Sequence, residues 1–175
     1  MGTIGGVLVA GTYGIVVSVG AGDHVLLKGL DINGLGPTPP GSLAGVAMLG
    51  GGTLTIQDCN IYGFQASSSG IGVSVAGAAG THVLIESTSI HNNLFGISVQ
   101  PQSGVTNSID IERAVVDSNA TANLNVATGA TAVISQSSFT HSPNAIAYNG
   151  GGSVISYGNN VLRNAGLPTS TVPLQ

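Results

Sequence analysis

The stretch that decides the fold is residues 81–99, THVLIESTSIHNNLFGISV. Val83 and Ile85 take alternate positions in a first short run, Ile90 lies in a second short run, and a one-residue corner separates the two runs. A polar turn with Asn92 and Asn93 follows, and a third run opens at Gly96. Because period-two alternation is typical of half-buried strands, this unit predicts three short strands joined by tight corners.

The same pattern recurs before and after this unit, and the aliphatic residues of successive repeats align in three columns. The first-strand column contains Leu27, Ile56, Ile85, Ile111 and Ile134, with a one-residue slip at Ile155. The second-strand column contains Ile32, Ile61, Ile90, Val116, Phe139 and Val161. The third-strand column contains Val46, Val73, Ile97, Leu124 and Ile146. Columns in register predict three parallel sheets with their apolar faces inward, and insertions at the corners explain the uneven repeat length.

The prediction is therefore an all-β chain, a right-handed three-sided parallel β-helix of about six to seven coils with essentially no helix. Residues 1–166 are expected to form this single domain. Residues 167–175, with two prolines and no coil pattern, are expected to form an extended tail on the rod or across its last coil. Asn93, Asn119 and Asn164, with Ser142 between them, predict a column of stacked side chains at the turn after the second strand.

The composition excludes several kinds of partner. The chain has 175 residues, of which 6% are charged, and its net charge is −4 from seven acidic and three basic residues. We expect no nucleic-acid binding, because there is no basic patch, and no membrane insertion, because no apolar run approaches about 18 residues. The single Cys59 is expected to fill the core as a small hydrophobe.

Several segments of the sequence carry a family resemblance. They are 6–36 (GVLVAGTYGIVVSVGAGDHVLLKGLDINGLG), 54–65 (LTIQDCNIYGFQ), 70–75 (GIGVSV) and 153–166 (SVISYGNNVLRNAG). They resemble the bacterial right-handed parallel β-helix repeat proteins of the pectate-lyase-like superfamily. The resemblance implies a secreted, cell-surface or periplasmic protein whose C-terminal part is this chain, with an export signal and further coils before it. It implies no single activity, because lyases, hydrolases, epimerases, adhesins and phage spikes share the fold.

A first outward ladder follows the first-strand column and contains Lys28, Gln57, Glu86, Glu112 and Ser135. Glu86 and Glu112 are expected about 5 Å apart, and Asp110 faces the same way as Glu112. Three acids together repel, raise a pKa or hold a hard cation such as Ca²⁺. Pectate lyases bind Ca²⁺ with outward acids from neighbouring coils, so Glu86, Asp110 and Glu112 form a candidate metal site; the alternative is a solvated polar face.

A second outward ladder contains Asn33, Tyr62, His91, Asp117 and Thr140. Tyr62, His91 and Asp117 fall on successive coils and resemble the acid and base groups of polysaccharide lyases and epimerases. No DPHE-type epimerase motif is present, and the closely spaced acids of polygalacturonases are missing. The alternative is the mixed polar surface of any solenoid, and His82, at a strand start, is likewise expected to be polar surface.

The sequence leaves three functions open. The first is a non-catalytic exported module, structural or binding a glycan or another partner, which the low charge and the lack of a recognised catalytic motif favour. The second is a polysaccharide lyase or epimerase acting on uronate-containing glycans, with Ca²⁺ as its cation. The third is a self-assembling solenoid element, because a terminal coil presents unpaired backbone groups.

Overall fold

The structure, a computed structural model, describes residues 5–37, 41–78 and 80–173. These residues form twenty strands and no helix. The chain begins with β1 (Gly5–Leu8) and β2 (Tyr13–Val17). Complete coils of three strands follow: β3 (His24–Lys28), β4 (Leu30–Gly36), β5 (Ala44–Met48); β6 (Thr53–Gln57), β7 (Asn60–Phe64), β8 (Ile71–Val75); β9 (His82–Glu86), β10 (Ser89–His91), β11 (Phe95–Val99); β12 (Asn107–Glu112), β13 (Val115–Asp117), β14 (Ala122–Ala127); and β15 (Ala130–Ser135), β16 (Ser138–Thr140), β17 (Asn144–Asn149). The chain ends with β18 (Ser153–Ser156), β19 (Val161–Leu162) and β20 (Ser170–Thr171).

The strands stack into three parallel sheets. The first sheet has the order β3-β6-β9-β12-β15-β18-β20, the second β1-β4-β7-β10-β13-β16-β19, and the third β2-β5-β8-β11-β14-β17. The chain is thus a parallel β-solenoid of about six turns, which confirms the predicted three-sided architecture. Its right-handed winding stays a prediction, in line with the general preference of parallel crossovers.

The predicted inner columns are correct through the central coils. Ile56, Ile85 and Ile111 pair in register, and so do the members of the other two columns in these coils. The cores of these strands are fully buried, and each buried aliphatic side chain contributes about 1.5–3 kcal/mol of transfer free energy. Cys59 is buried among them, as expected.

Two expectations for the last coil are wrong by one residue. Ile155 pairs with Val133 and faces outward, whereas the buried Ser156 continues the column after Ile134. In the second sheet it is Leu162, not Val161, that pairs with Phe139. Register is inherited from the preceding coil, so it overrides the preference for the most apolar residue.

Left-handed backbone forms the tight corners. Between the first and second strands, Gly29, Asp58, Ser87, Arg113 and Gln136 have φ between 48° and 66°. Positive φ also occurs near the end of the second strand or just after it, at Gly63, Asn92, Ser118, His141 and Asn164. Asn164 therefore belongs to a corner column and not to the predicted column of Asn93 and Asn119, and its Nδ2 donates to the Ser142 carbonyl at 2.6 Å.

Residues 167–171 lie against the last coil. The Tyr148 hydroxyl donates to the Leu167 carbonyl at 2.8 Å, and Thr169 Oγ1 donates to the Val154 carbonyl at 2.7 Å. Strand β20 then adds a rung to the first sheet. Among the described residues there is no helix with the length and apolarity needed to cross a membrane.

Candidate functional site

The second outward ladder forms as its sequence spacing predicts. Strand pairing places Asn33, Tyr62, His91, Asp117 and Thr140 beside one another on successive coils. The Tyr62 and His91 rings stack almost in parallel, with centroids 5.2 Å apart and planes inclined by 2°.

A chain of hydrogen bonds, which we call the Asp31 network, joins Asp31, Asn60, Tyr62, His91 and Asn92. The Tyr62 hydroxyl donates to Asp31 Oδ1 at 3.1 Å, and Asn60 Nδ2 donates to Asp31 Oδ2 at 3.0 Å. Asn60 Oδ1 lies 3.1 Å from His91 Nε2, and Asn92 Nδ2 lies 3.1 Å from His91 Nδ1. Because an amide nitrogen only donates, Nδ1 accepts and Nε2 carries the proton of a neutral imidazole.

The electrostatics of the network keep Tyr62 protonated. Desolvation raises the pKa of its phenol above the ordinary value, and the neighbouring Asp31 carboxylate raises it further. A raised pKa makes the phenol a hydrogen-bond donor and a poor base at neutral pH.

The three predicted catalytic residues are only partly brought together. Tyr62 and His91 are in contact, whereas Asp117 Oδ2 lies 3.6 Å from Nδ1 of His141, in the next coil. Asp31, the carboxylate that does join Tyr62, was not predicted. Its signal was available, because Asp31 lies two residues before Asn33 and so faces the same way.

The negative charges of the first outward ladder are balanced by Arg113. Glu86 and Glu112 are direct neighbours, and the Arg113 guanidinium hydrogen-bonds to both carboxylates. Gln57 Nε2 donates to Glu86 at 3.2 Å, and Asp110 faces His82 Nε2 at 3.5 Å instead of joining the two glutamates. Across the described ranges, no three His, Cys, Asp or Glu residues are grouped to hold a metal ion. The geometry favours the charge-balanced polar face, and the Ca²⁺ site stays a prediction.

The surface depressions border the inserted loops and the first sheet. One of about 570 Å³ is lined by residues 101–106 with 127–129 and Asn149. Another, of about 460 Å³, is lined by Pro37, Gly41, Leu43 and residues 65–69, so the loops that follow β4 and β7 lie side by side. Depressions of about 340 and 270 Å³ lie against the first sheet. Tyr62 and His91 line none of these four.

The small residues of the third sheet offer little accessible surface. Ala47, Ser74, Ser98, Asn125 and Ala147 align in register on successive coils. Ala47, Ser98 and Asn125 are nevertheless buried, and Asn125 Nδ2 donates to Ser98 Oγ at 3.2 Å. This strip therefore provides no flat docking face at its centre.

The fold and its two polar ladders define a parallel β-solenoid protein. No protein-family model matches the chain, and searches of the curated proteins and of the solved structures returned no match either.

Proposed function

We propose that this chain is a β-helix module that binds a glycan on the outward face of its second sheet, and that this face is non-catalytic. The observation that carries the proposal is the Asp31 network, in which the groups suited to proton transfer are already bonded to one another. An exported location and membership of the pectate-lyase-like superfamily are part of the proposal. They rest on the sequence resemblance and on the shared solenoid architecture.

The saturation of the network argues against proton abstraction. A general base needs a free lone pair within reach of the substrate proton. His91 Nδ1 accepts from Asn92, and Tyr62 is held protonated beside Asp31. Both groups would have to break existing hydrogen bonds before they could act as bases.

The same groups suit the recognition of sugar hydroxyls. A carboxylate accepts about four hydrogen bonds, and Asp31 uses two of these positions for Asn60 and Tyr62. Asn33, Asn60 and Asn92 add amide groups on a rigid parallel sheet, so little conformational entropy is lost on binding. The negative charges of Asp31 and Asp117 favour a neutral glycan over a uronate on this face.

Calorimetric titration with neutral oligosaccharides tests the proposal. Asp31→Ala removes the central acceptor, and we expect affinity to fall about 10- to 100-fold, the loss of about 1.5–3 kcal/mol typical of a charged hydrogen bond. Gln57→Ala, which changes the face of the first sheet, serves as the matched control and should bind as the unmodified chain does. Equal affinity of the Asp31→Ala variant would refute the assignment of this face, and so would the absence of binding to any neutral glycan.

A polysaccharide lyase or epimerase is the second candidate, and the contact between Tyr62 and His91 is the observation in its favour. Its lyase form predicts unsaturated uronate absorbance on pectate or alginate, with and without Ca²⁺. The signal should disappear in Tyr62→Phe and His91→Gln. A flat trace with the unmodified chain rejects the lyase.

A further inference from the structure

A serine, a histidine and an aspartate meet on the outward face of the first sheet. Pairing of β9 with β12 places His82 directly beside Ser108, and Asp110 follows two residues later on the same face. Ser108 Oγ lies 2.8 Å from His82 Nδ1. His82 Nε2 lies 3.5 Å from Asp110 Oδ2.

We propose that Ser108 is an activated nucleophile that hydrolyses short-chain acyl esters, with His82 as its general base and Asp110 as a positioning residue. This activity goes beyond the proposed glycan binding. It uses a different sheet and does not depend on the Asp31 network.

The ring nitrogens of His82 have complementary roles in this arrangement. The Asp110 carboxylate beside Nε2 favours the tautomer that carries its proton there. Nδ1 then carries no proton, and its lone pair accepts a hydrogen bond from the Ser108 hydroxyl. Ser108, His82 and Asp110 thus take the roles of nucleophile, general base and orienting carboxylate in a catalytic triad. Such a triad is recognised by its geometry and not by the order of its residues in the sequence.

Ser108 is one of the residues that line a depression of about 270 Å³, and this volume limits the size of the acyl group. It is lined by Gly80, Thr81, Thr106, Asn107, Ser108 and Thr131. Such a small polar depression suits an acetyl group better than a long acyl chain. Thr131 pairs directly with Ser108 from the next coil, and the Thr106 and Thr131 hydroxyls are donors suited to the ester carbonyl oxygen.

The reaction balances without a further reagent. Ser108 Oγ bonds to the ester carbonyl carbon while its proton passes to His82 Nδ1. Collapse of the tetrahedral intermediate breaks the bond to the alcohol oxygen, which takes that proton and leaves. Water then attacks the acyl-serine, passes a proton to His82, and releases the acid as the proton returns to Ser108. With about two fifths of the His82 and Asp110 side chains exposed, water reaches the site.

Labelling with a fluorophosphonate, followed by peptide mass spectrometry, tests the nucleophile. We expect one label per chain, at Ser108, and none after Ser108→Ala or after denaturation of the unmodified chain. His82→Gln should slow labelling and p-nitrophenyl acetate hydrolysis about 100-fold, the range of general-base catalysis. Ser135→Ala is the matched control, because Ser135 is an outward serine of the next coil that pairs with Glu112.

Asp110 is tested by substitution and rescue. Asp110→Asn should slow hydrolysis about 10-fold with an unchanged circular dichroism spectrum and melting temperature, and Asp110→Glu should restore part of the rate. The proposal is overturned if the folded chain takes no label, if other serines label as fast as Ser108, or if His82→Gln reacts at the original rate.

Discussion

At the scale of single residues, Arg113 shows how this chain places two like charges side by side. Its backbone forms the left-handed corner after β12, with φ of 51°. That corner directs the guanidinium back over the first sheet, where it bonds to both Glu86 and Glu112. Adjacent carboxylates in register repel each other, and a shared cation offsets the repulsion. The pair of glutamates therefore needs no bound metal ion to be tolerated.

Cys59 yields a prediction about pH at the same scale. Burial raises the pKa of its thiol, so the folded chain holds this proton more tightly than the unfolded chain. The associated stability is complete below the unfolded pKa of about 8.5 and is lost as pH rises above it. In urea denaturation between pH 7 and pH 10, the unmodified chain should lose more stability than Cys59→Ala. Parallel pH profiles of the two proteins would contradict this.

At the scale of structural elements, a column of buried polar side chains closes the turn between the second and third sheets. Asn119 Oδ1 accepts from the backbone nitrogen of Asn93 at 3.0 Å, and its Nδ2 donates to Asn123 Oδ1 at 2.8 Å. The same role is played by Asn93 towards Phe64 and by Ser142 towards Asn119. Asn93, Asn119 and Ser142 thus each cap the backbone of the preceding coil.

Replacing Asn119 by alanine should destabilise the chain strongly. The substitution leaves the buried backbone N–H and Nδ2 of Asn93 without their acceptor, Asn119 Oδ1, and one such group costs about 1–3 kcal/mol. We expect the free energy of unfolding to fall by at least about 2 kcal/mol in urea denaturation. The exposed Asn149→Ala is the control and should stay within about 0.5 kcal/mol of the unmodified chain. Equal effects of the two substitutions would show that the column is dispensable.

The sequence predicts strands and ladders well because both follow from the alternation of inward and outward side chains along a strand. Ile85 faces inward and Glu86 outward for the same reason, and parallel pairing carries this assignment from coil to coil. Contacts between side chains at diagonal positions are not predicted in this way. The bond from Tyr62 to Asp31 and the proximity of His82 to Asp110 run diagonally, so they depend on side-chain rotamers that alternation does not specify. At Ile155 the apolar pattern itself was misleading, because the last strands have few neighbours to bury them.

At the scale of the whole molecule, the inward side chains of the stack form the core and the outward side chains carry the polar groups. The three inner columns form one continuous core from Val9 to Val154. The second sheet presents the Asp31 network outward, and the first sheet presents Ser108 and His82. Because these groups lie on different faces of one rigid stack, each can be changed without altering the other or the core.

The stack also predicts a gradient of stability along its axis. Among the strands of the described residues, β9 pairs with both β6 and β12, whereas β1 pairs with β4 alone and β20 with β18 alone. In a solenoid each coil is stabilised by its neighbours, so hydrogen exchange should be slowest in β9–β12 and fastest in β1 and β20.

Truncating one buried side chain tests how far the stability of one coil depends on its neighbours. Ile85 is fully buried, and Ile85→Ala should cost about 2–5 kcal/mol, which lowers amide protection about 30-fold or more. Because the coils unfold together with their neighbours, we expect the loss in β6 and β12 as well as in β9. Leu26→Ala, which truncates an outward side chain of the first sheet that is 60% exposed, is the control and should leave protection unchanged. A loss confined to β9 would mean that each coil opens alone, and the cooperative stack would then be the wrong description of this chain.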